Sequence, residues 1–245
     1  MINLLEITTG ELVVQDYRTA AVFERFGIDF CCQGNRSIKE ACENAKINMH
    51  SLLEDLNAVI SLQEDKSLDY ISWPLDLLAD YIEKKHHRYV EEKIPLLGQY
   101  LDKLCSIHGK KHPELLRITN LFNQSSGEII THLKKEEFIL FPYVRKMACA
   151  QRENIPVGTP PFGTVHGPVQ MMMHEHHTEG DRFRKISALS NRYTPPGDAC
   201  NTYKVTYSLL KEFEADLHFH IHLENNILFP KAIALEKSSK IIRGI

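Results

Sequence analysis

The segment HLKKEEFILFP at residues 132–142 returns as HIHLENNILFP at residues 220–230. Both copies place a histidine, a glutamate four residues on, and Leu-Phe-Pro at the close. On an α-helix, positions four apart project about 40° from one another, so each His-x-x-x-Glu presents an imidazole and a carboxylate on one face. That face is the apolar one. Ile129, His132, Glu136, Ile139 and Leu140 follow the spacing of a core stripe, and Leu217, His220, Glu224, Ile227 and Leu228 repeat it position for position. A lone pair of this kind reads as a solvated i, i+4 contact. Two pairs set into apolar stripes do not, because burying two carboxylates and two imidazoles near one axis is unfavourable unless the charges are neutralised, as a bound cation would do. Metal binding is the chemistry these residues point to.

Such a site closes with ligands from other helices. In VQMMMHEHHTEGDRF, His176 shares a face with Val169, Met172 and Phe183, whereas His177 lines up with Gln170, Asp181 and Arg184. His176 is the inward candidate; His174 and His177 read as surface residues and Met171 to Met173 as packing. In ADYIEKKHHRYVEEKIPLL, periodicity admits either His86 or His87. Spacing favours His87: it precedes His132 by 45 residues and His176 precedes His220 by 44, so two helical hairpins would bring their histidines to matching heights. The candidate ligands are therefore His87, His132, Glu136, His176, His220 and Glu224. Six N and O donors with two carboxylates suit two metals bridged by the glutamates, each also holding two imidazoles. Two iron ions fit best, because one zinc needs only four ligands and ferritin-like sites use Glu-x-x-His in place of this i, i+4 order. Each iron keeps room for an oxo or hydroxo bridge and an exchangeable ligand. His218 and His222, on the opposite face from His220, read as surface or outer residues.

The elements that must position these groups are long helices. Gly and Pro cluster at HGKKHP, IPVGTPPFG and YTPPGD, leaving four amphipathic segments near 74–106, 114–150, 166–191 and 199–235. Short connections make them an all-α, up-and-down four-helix bundle occupying 73–245. Pro95, Pro142 and Pro230 are expected to kink or end three of the helices. Residues 1–60 form a small helical unit ahead of it: one helix across GELVVQDYRTAAVFERFG, a second at SIKEACENAKI with a Ser37/Glu40 capping box, and a third at HSLLEDLNAVI. The stretch 61–72, including the polar SLQEDKSLD, reads as a linker.

Composition excludes several classes. Lys plus Arg (29) nearly balance Asp plus Glu (32), for a net charge of −3, and no basic run is interleaved with aromatics, so nucleic acid is not the expected partner. No apolar run approaches a membrane span and the first residues lack the basic start of a secretion signal, so a cytoplasmic protein is expected. Six cysteines, four of them scattered at 42, 105, 149 and 200, do not read as a secreted disulfide framework.

The order His87, His132 with Glu136, His176, His220 with Glu224 resembles the hemerythrin-like di-iron domain. The stretch GIDFCCQG is similar to the short cysteine-bearing domain that precedes it in the iron-sulfur cluster repair di-iron proteins, also called the repair of iron centres family. The resemblance covers almost the whole chain. It implies a role in restoring iron-sulfur clusters damaged by nitric oxide or peroxide, by supplying iron, with the damaged iron-sulfur proteins as partners. Two rival activities share the same centre: nitric oxide reduction, and binding of dioxygen or nitric oxide as a sensor. A homodimer is compatible with all three.

Cys31 and Cys32 carry a thiol role in this reading. They lie just ahead of a helix start at Ser37 with Arg36 nearby, a setting that favours thiolate. Adjacent cysteines bridge each other only with strain, so exchange with a partner or contact with iron is expected. Cys42 could join them; Cys105, Cys149 and Cys200 read as structural.

Overall fold

The computed structural model describes residues 4–62, 68–238 and 241–242. Residues 63–67 of the expected linker, and 239–240 and 243–245 of the expected bundle segment, lie outside the described residues.

Four short helices come first: α1 (Thr9–Gln15), α2 (Thr19–Phe26), α3 (Ile38–Ala45) and α4 (Met49–Ser61). The sequence predicts three, with α1 and α2 as one. The break is local chemistry. Asp16 leaves helical backbone at φ −150°, and its carboxylate accepts the Arg18 backbone N–H at 3.1 Å. Capping boxes start α1 at Thr8/Glu11 and α3 at Ser37/Glu40.

The bundle follows. Helix α5 runs through Leu75–Tyr81, Ile82–His87 and Arg88–His108; α6 through Glu114–Lys135, Glu136–Leu140 and Phe141–Glu153; α7 is His166–Leu189; α8 runs through Asn201–Leu223, Glu224–Leu228 and Phe229–Ser238. Each packs against its sequence neighbours, and α8 closes the ring on α5. Val157–Gly158 pairs in parallel with Ile241–Ile242.

The middle piece of α5, of α6 and of α8 is a π-helical turn. In α6 the Phe141 N–H reaches back five residues to the Glu136 carbonyl, and in α8 Phe229 does the same to Glu224. The proline that follows each, Pro142 or Pro230, has no N–H to give and its ring presses on the carbonyl four residues back; widening the preceding turn relieves that pressure. The prolines therefore expand the two helices where the repeated motif lies.

The apolar interior is divided in two along the bundle. One cluster joins Val90 to Leu104, Leu115 to Leu133 and Tyr203 to Ile221 with the interior of α1 to α4. The other joins Leu75 to Ile82, Leu140 to Ala150, Val165 to Met172 and Leu223 to Leu235. A layer of buried His and Glu lies between them. The four amino-terminal helices thus share one half of the bundle's core. They also cover the second copy of the repeat and leave the first uncovered: Ile227 is 4% exposed, whereas Ile139, expected in the core stripe, is 49% exposed.

Candidate metal centre

The six candidate ligands converge in the polar layer. His87 ends the π turn of α5, Glu136 and Glu224 open those of α6 and α8, His132 and His220 stand one turn earlier, and His176 comes from the middle of α7. They form two groups of four, His87–Glu136–His220–Glu224 and His132–Glu136–His176–Glu224, each with its donor atoms within 4.8 Å of one another. Both glutamates belong to both groups. None of the six is more than 6% exposed, so water cannot carry their charges.

Four Nε2 atoms face the two carboxylates: His87 and His132 lie 3.4 Å from Glu136, His176 lies 3.2 Å and His220 3.1 Å from Glu224. Close as they are, the oxygens of Glu136 and Glu224 and the Nε2 atoms of His87 and His220 lack hydrogen-bond alignment with any partner. His132 Nε2 and His176 Nε2 meet at 3.0 Å, nitrogen to nitrogen. Buried polar atoms of native proteins are ordinarily satisfied. Donors that crowd together without addressing one another suit cations placed between them, and N and O donors of this number suit iron-like ions.

The imidazoles and carboxylates of the layer also shift one another's proton affinity. Burial and Glu224 push the Glu136 carboxyl up, but the His132 and His87 imidazoles outweigh them and hold it below the usual range. Glu224 is held well below it by His220 and His176 against burial. Burial works against a charged His132, yet Glu136 and Glu175 push it up to about 10; His220 is raised in the same way, chiefly by Glu224.

Three of the ligands are oriented from behind. His87 Nδ1 lies 3.1 Å from Glu137, His132 Nδ1 lies 2.8 Å from Glu175, and His176 Nδ1 lies 2.9 Å from Asn225 Oδ1. An Nδ1–H donated to these oxygens leaves Nε2 free to bind metal. Sequence reasoning missed Glu137, Glu175 and Asn225. The available signal was adjacency: each follows or precedes a candidate ligand by one residue and so points about 100° away, toward the next helix.

The other histidines go elsewhere. His86 is buried, but its Nδ1 lies 3.0 Å from Asp216 and it belongs to neither group. His174 is exposed and His177 half-exposed. His222 corrects the surface expectation: it is 2% exposed, bonded to Asn226 at 3.0 Å and packed against the rings of Tyr17 and Phe30. His218 is largely covered too, because the amino-terminal helices occupy that face.

Those helices bring the thiols to the centre. Asp29 folds the loop by accepting the backbone N–H groups of Cys31 (3.1 Å) and Cys32 (2.8 Å), and a Cβ on Gly34 would lie 2.3 Å from the Phe30 carbonyl, so only glycine fits the close return. Cys32 Sγ then lies 3.3 Å from the main-chain carbonyl of His176. Asn225, which orients His176, donates its Nδ2 to the Cys31 carbonyl at 3.1 Å. Hydrogen bonding to Cys32, burial and the Asp29 charge push the Cys31 thiol well above the ordinary value, against the helix start and Arg36 that the sequence sets beside it. Cys42 does not join the pair; it is buried on α3, and the residue grouped with the two thiols is Asp29. Cys200, read as structural, is exposed.

A cavity of about 200 Å³ lies beside the layer, lined by Glu128, Ile129, Thr131, Lys135 and Leu217 together with His132, His176 and His220. Among the described residues no helix is long and apolar enough to cross a membrane.

The comparisons follow this division. Residues 78–232 match the family described as hemerythrin HHE cation binding domain, and residues 5–60 match ScdA_N, described as a domain of unknown function (DUF542). The iron-sulfur cluster repair protein ScdA of Staphylococcus haemolyticus is 29% identical over 229 residues, 92% of this chain and 97% of the relative. The iron-sulfur cluster repair proteins YtfE of Musicola paradisiaca (31% identical, 93% and 96% covered) and Escherichia coli O8 (30%, 93% and 96%) are similarly related. With a histidine and glutamate layer inside its helical bundle, a cysteine loop folded beside it and relatives matched almost end to end, the chain belongs to the hemerythrin-like family of iron-sulfur cluster repair proteins, with a hemerythrin HHE cation binding domain behind a ScdA_N segment.

Proposed function

We propose that the chain holds two iron ions in this layer and repairs iron-sulfur clusters damaged by nitrosative or oxidative stress by supplying iron to them. The observation that carries the reading is the sharing of Glu136 and Glu224 between two histidine pairs. One cation would leave two imidazoles and half the carboxylate oxygens of a buried layer without a partner; two cations held by His87, His132, Glu136, His176, His220 and Glu224 would engage them all. The relatives' name supports repair as the purpose.

The ions supply Lewis acidity and a change of oxidation state. The chain's own residues hold them, orient the imidazoles through Glu137, Glu175 and Asn225, and keep bulk water out between two apolar clusters. In this reading residues 1–60 are the cysteine-bearing domain, 61–72 the connector and 73–245 the bundle. Cys31 and Cys32 act as thiols beside the centre, and the targets are cytoplasmic iron-sulfur proteins. Anaerobic metal analysis should give about two irons per chain. The iron-loaded protein should reactivate a cluster-dependent dehydratase inactivated by nitric oxide, and Cys31→Ser/Cys32→Ser should keep its iron yet reactivate poorly. Iron near one per chain, or no reactivation by loaded wild type, would overturn the reading.

The cavity lined by His132 and His176 favours a second reading, nitric oxide reduction at the same ions. The loaded protein with a chemical reductant would then consume nitric oxide, and the double cysteine variant would do so at the wild-type rate.

A further inference from the structure

We propose that Asp29, Cys31 and Cys32 form a metal site of their own, separate from the histidine and glutamate layer, that takes one thiophilic divalent cation, ferrous iron or zinc. It deepens the iron-supply reading and rests on that reading only for the identity of the natural ion.

The geometry is that of a chelate. The two Sγ atoms stand 3.7 Å apart and carry no bond between them. Two thiolates about 2.3 Å from one tetrahedral ion stand about 3.8 Å apart. Cys31 Sγ lies 3.4 Å from Asp29 Oδ1. A carboxylate oxygen about 2.0–2.2 Å from the same ion would stand about 3.5–3.7 Å from each sulfur. All three donor atoms lie within 4.8 Å of one another. The loop holds them there independently of any ion, because Asp29 gathers the backbone N–H groups of the two cysteines.

Charge selects the valence. Arg184 pairs with Asp29 Oδ2 at 2.8 Å; Oδ1, which accepts the backbone N–H groups of both cysteines, is also the oxygen 3.4 Å from Cys31 Sγ, so a cation bound there would share it with those amides. When a cation enters, the two S–H protons leave to solvent, and two thiolates with Asp29 and Arg184 carry a net charge of −2, which a divalent ion cancels. Three protein donors leave a fourth position for a ligand from outside, as in metal sites that exchange or react. Room for the site is also built into α7: a Cβ at Gly180 would lie 3.1 Å from Cys32 Sγ.

The test uses zinc as probe on the full chain with its bundle centre loaded with iron, under a thiol-free reductant. After one equivalent of Zn(II), zinc-edge X-ray absorption should show two sulfur neighbours at about 2.3 Å. Cys32→Ser, at a partly exposed position, should lower that count to one, and Cys31→Ser/Cys32→Ser should leave only N and O neighbours. Asp29→Asn, which keeps the loop's acceptor, should weaken zinc binding at least tenfold in chelator competition. Cys200→Ser should change nothing. A wild-type spectrum without sulfur, or a sulfur shell that survives in the double variant, would overturn the site. A sulfur shell in a protein that repairs no clusters would leave the site standing and remove only the iron-supply reading.

Discussion

His86 and His87 are neighbours in sequence and address different carboxylates: His87 Nε2 lies 3.4 Å from Glu136, while His86 Nδ1 lies 3.0 Å from Asp216. The π turn that ends at His87 directs one ring into the polar layer and leaves the other among Tyr81 and Phe219. Accordingly His87→Ala should strip most of the bound metal. His86→Ala should keep it while melting lower, because a buried ring is removed from an aromatic cluster, a loss on the order of 2–4 kcal/mol. Metal content and melting temperature of the two variants decide; metal loss in His86→Ala alone would reverse the assignment.

The metal-free protein should weaken toward alkaline pH. His132 is raised to about 10 in the folded chain, chiefly by Glu136 against burial, from an ordinary value of about 6.5. Its contribution is complete below about pH 6.5 and fades as pH rises toward 10, because the unfolded chain has already given up that proton. Glu136 and Glu224 are depressed, so their contribution is lost on the acid side, as pH falls through their folded values. Thermal melts of stripped protein from pH 6 to 10 should fall by several degrees. The loaded protein, whose imidazoles are already deprotonated by the metal, should lose far less. A flat profile for stripped protein would contradict the charge arrangement.

Asn225→Ala should lower metal affinity at least tenfold, since it frees the His176 ring and leaves the Cys31 carbonyl buried without its donor. Competition with a chelator measures this. An unchanged affinity would mean that His176 needs no orientation from behind.

Gly180→Val should drive Cys32 off the His176 carbonyl, because even a Cβ at that position crowds the sulfur at 3.1 Å. Alkylation of Cys32, followed by mass spectrometry, should become severalfold faster while helix content stays the same. An unaltered rate would mean that the thiol does not rest against α7.

The lengths and order of the bundle helices were legible because each carries an unbroken apolar stripe between Gly and Pro clusters, and the His-x-x-x-Glu pairs stood out by occupying seats in those stripes. What the sequence did not disclose depends on neighbours across space. Asn225 and Glu175 are read only once the register between α6, α7 and α8 is known. His222 looked exposed because one helix in isolation has no amino-terminal unit lying on it. Ile139 fell off its stripe because a period of 3.6 does not anticipate a turn widened ahead of Pro142. The difference between EEFIL and ENNIL was in view, but its cause was not. Asn225 and Asn226 donate to the carbonyls of Cys31 and Phe30, whereas Glu137 pairs with His87, Arg88 and Lys134 and Phe138 is exposed.

The polar layer separates two apolar clusters that share no side chain. Cations held there would clamp the two halves to each other through candidate ligands drawn from all four helices. Emptied, the layer becomes the weakest cross-section of the molecule. The chain should then open at one end without the other, the half carrying Leu75, Phe141 and Phe229 exchanging its amide hydrogens ahead of the half locked under α1 to α4. Occupancy would set whether the molecule melts as one unit or as two.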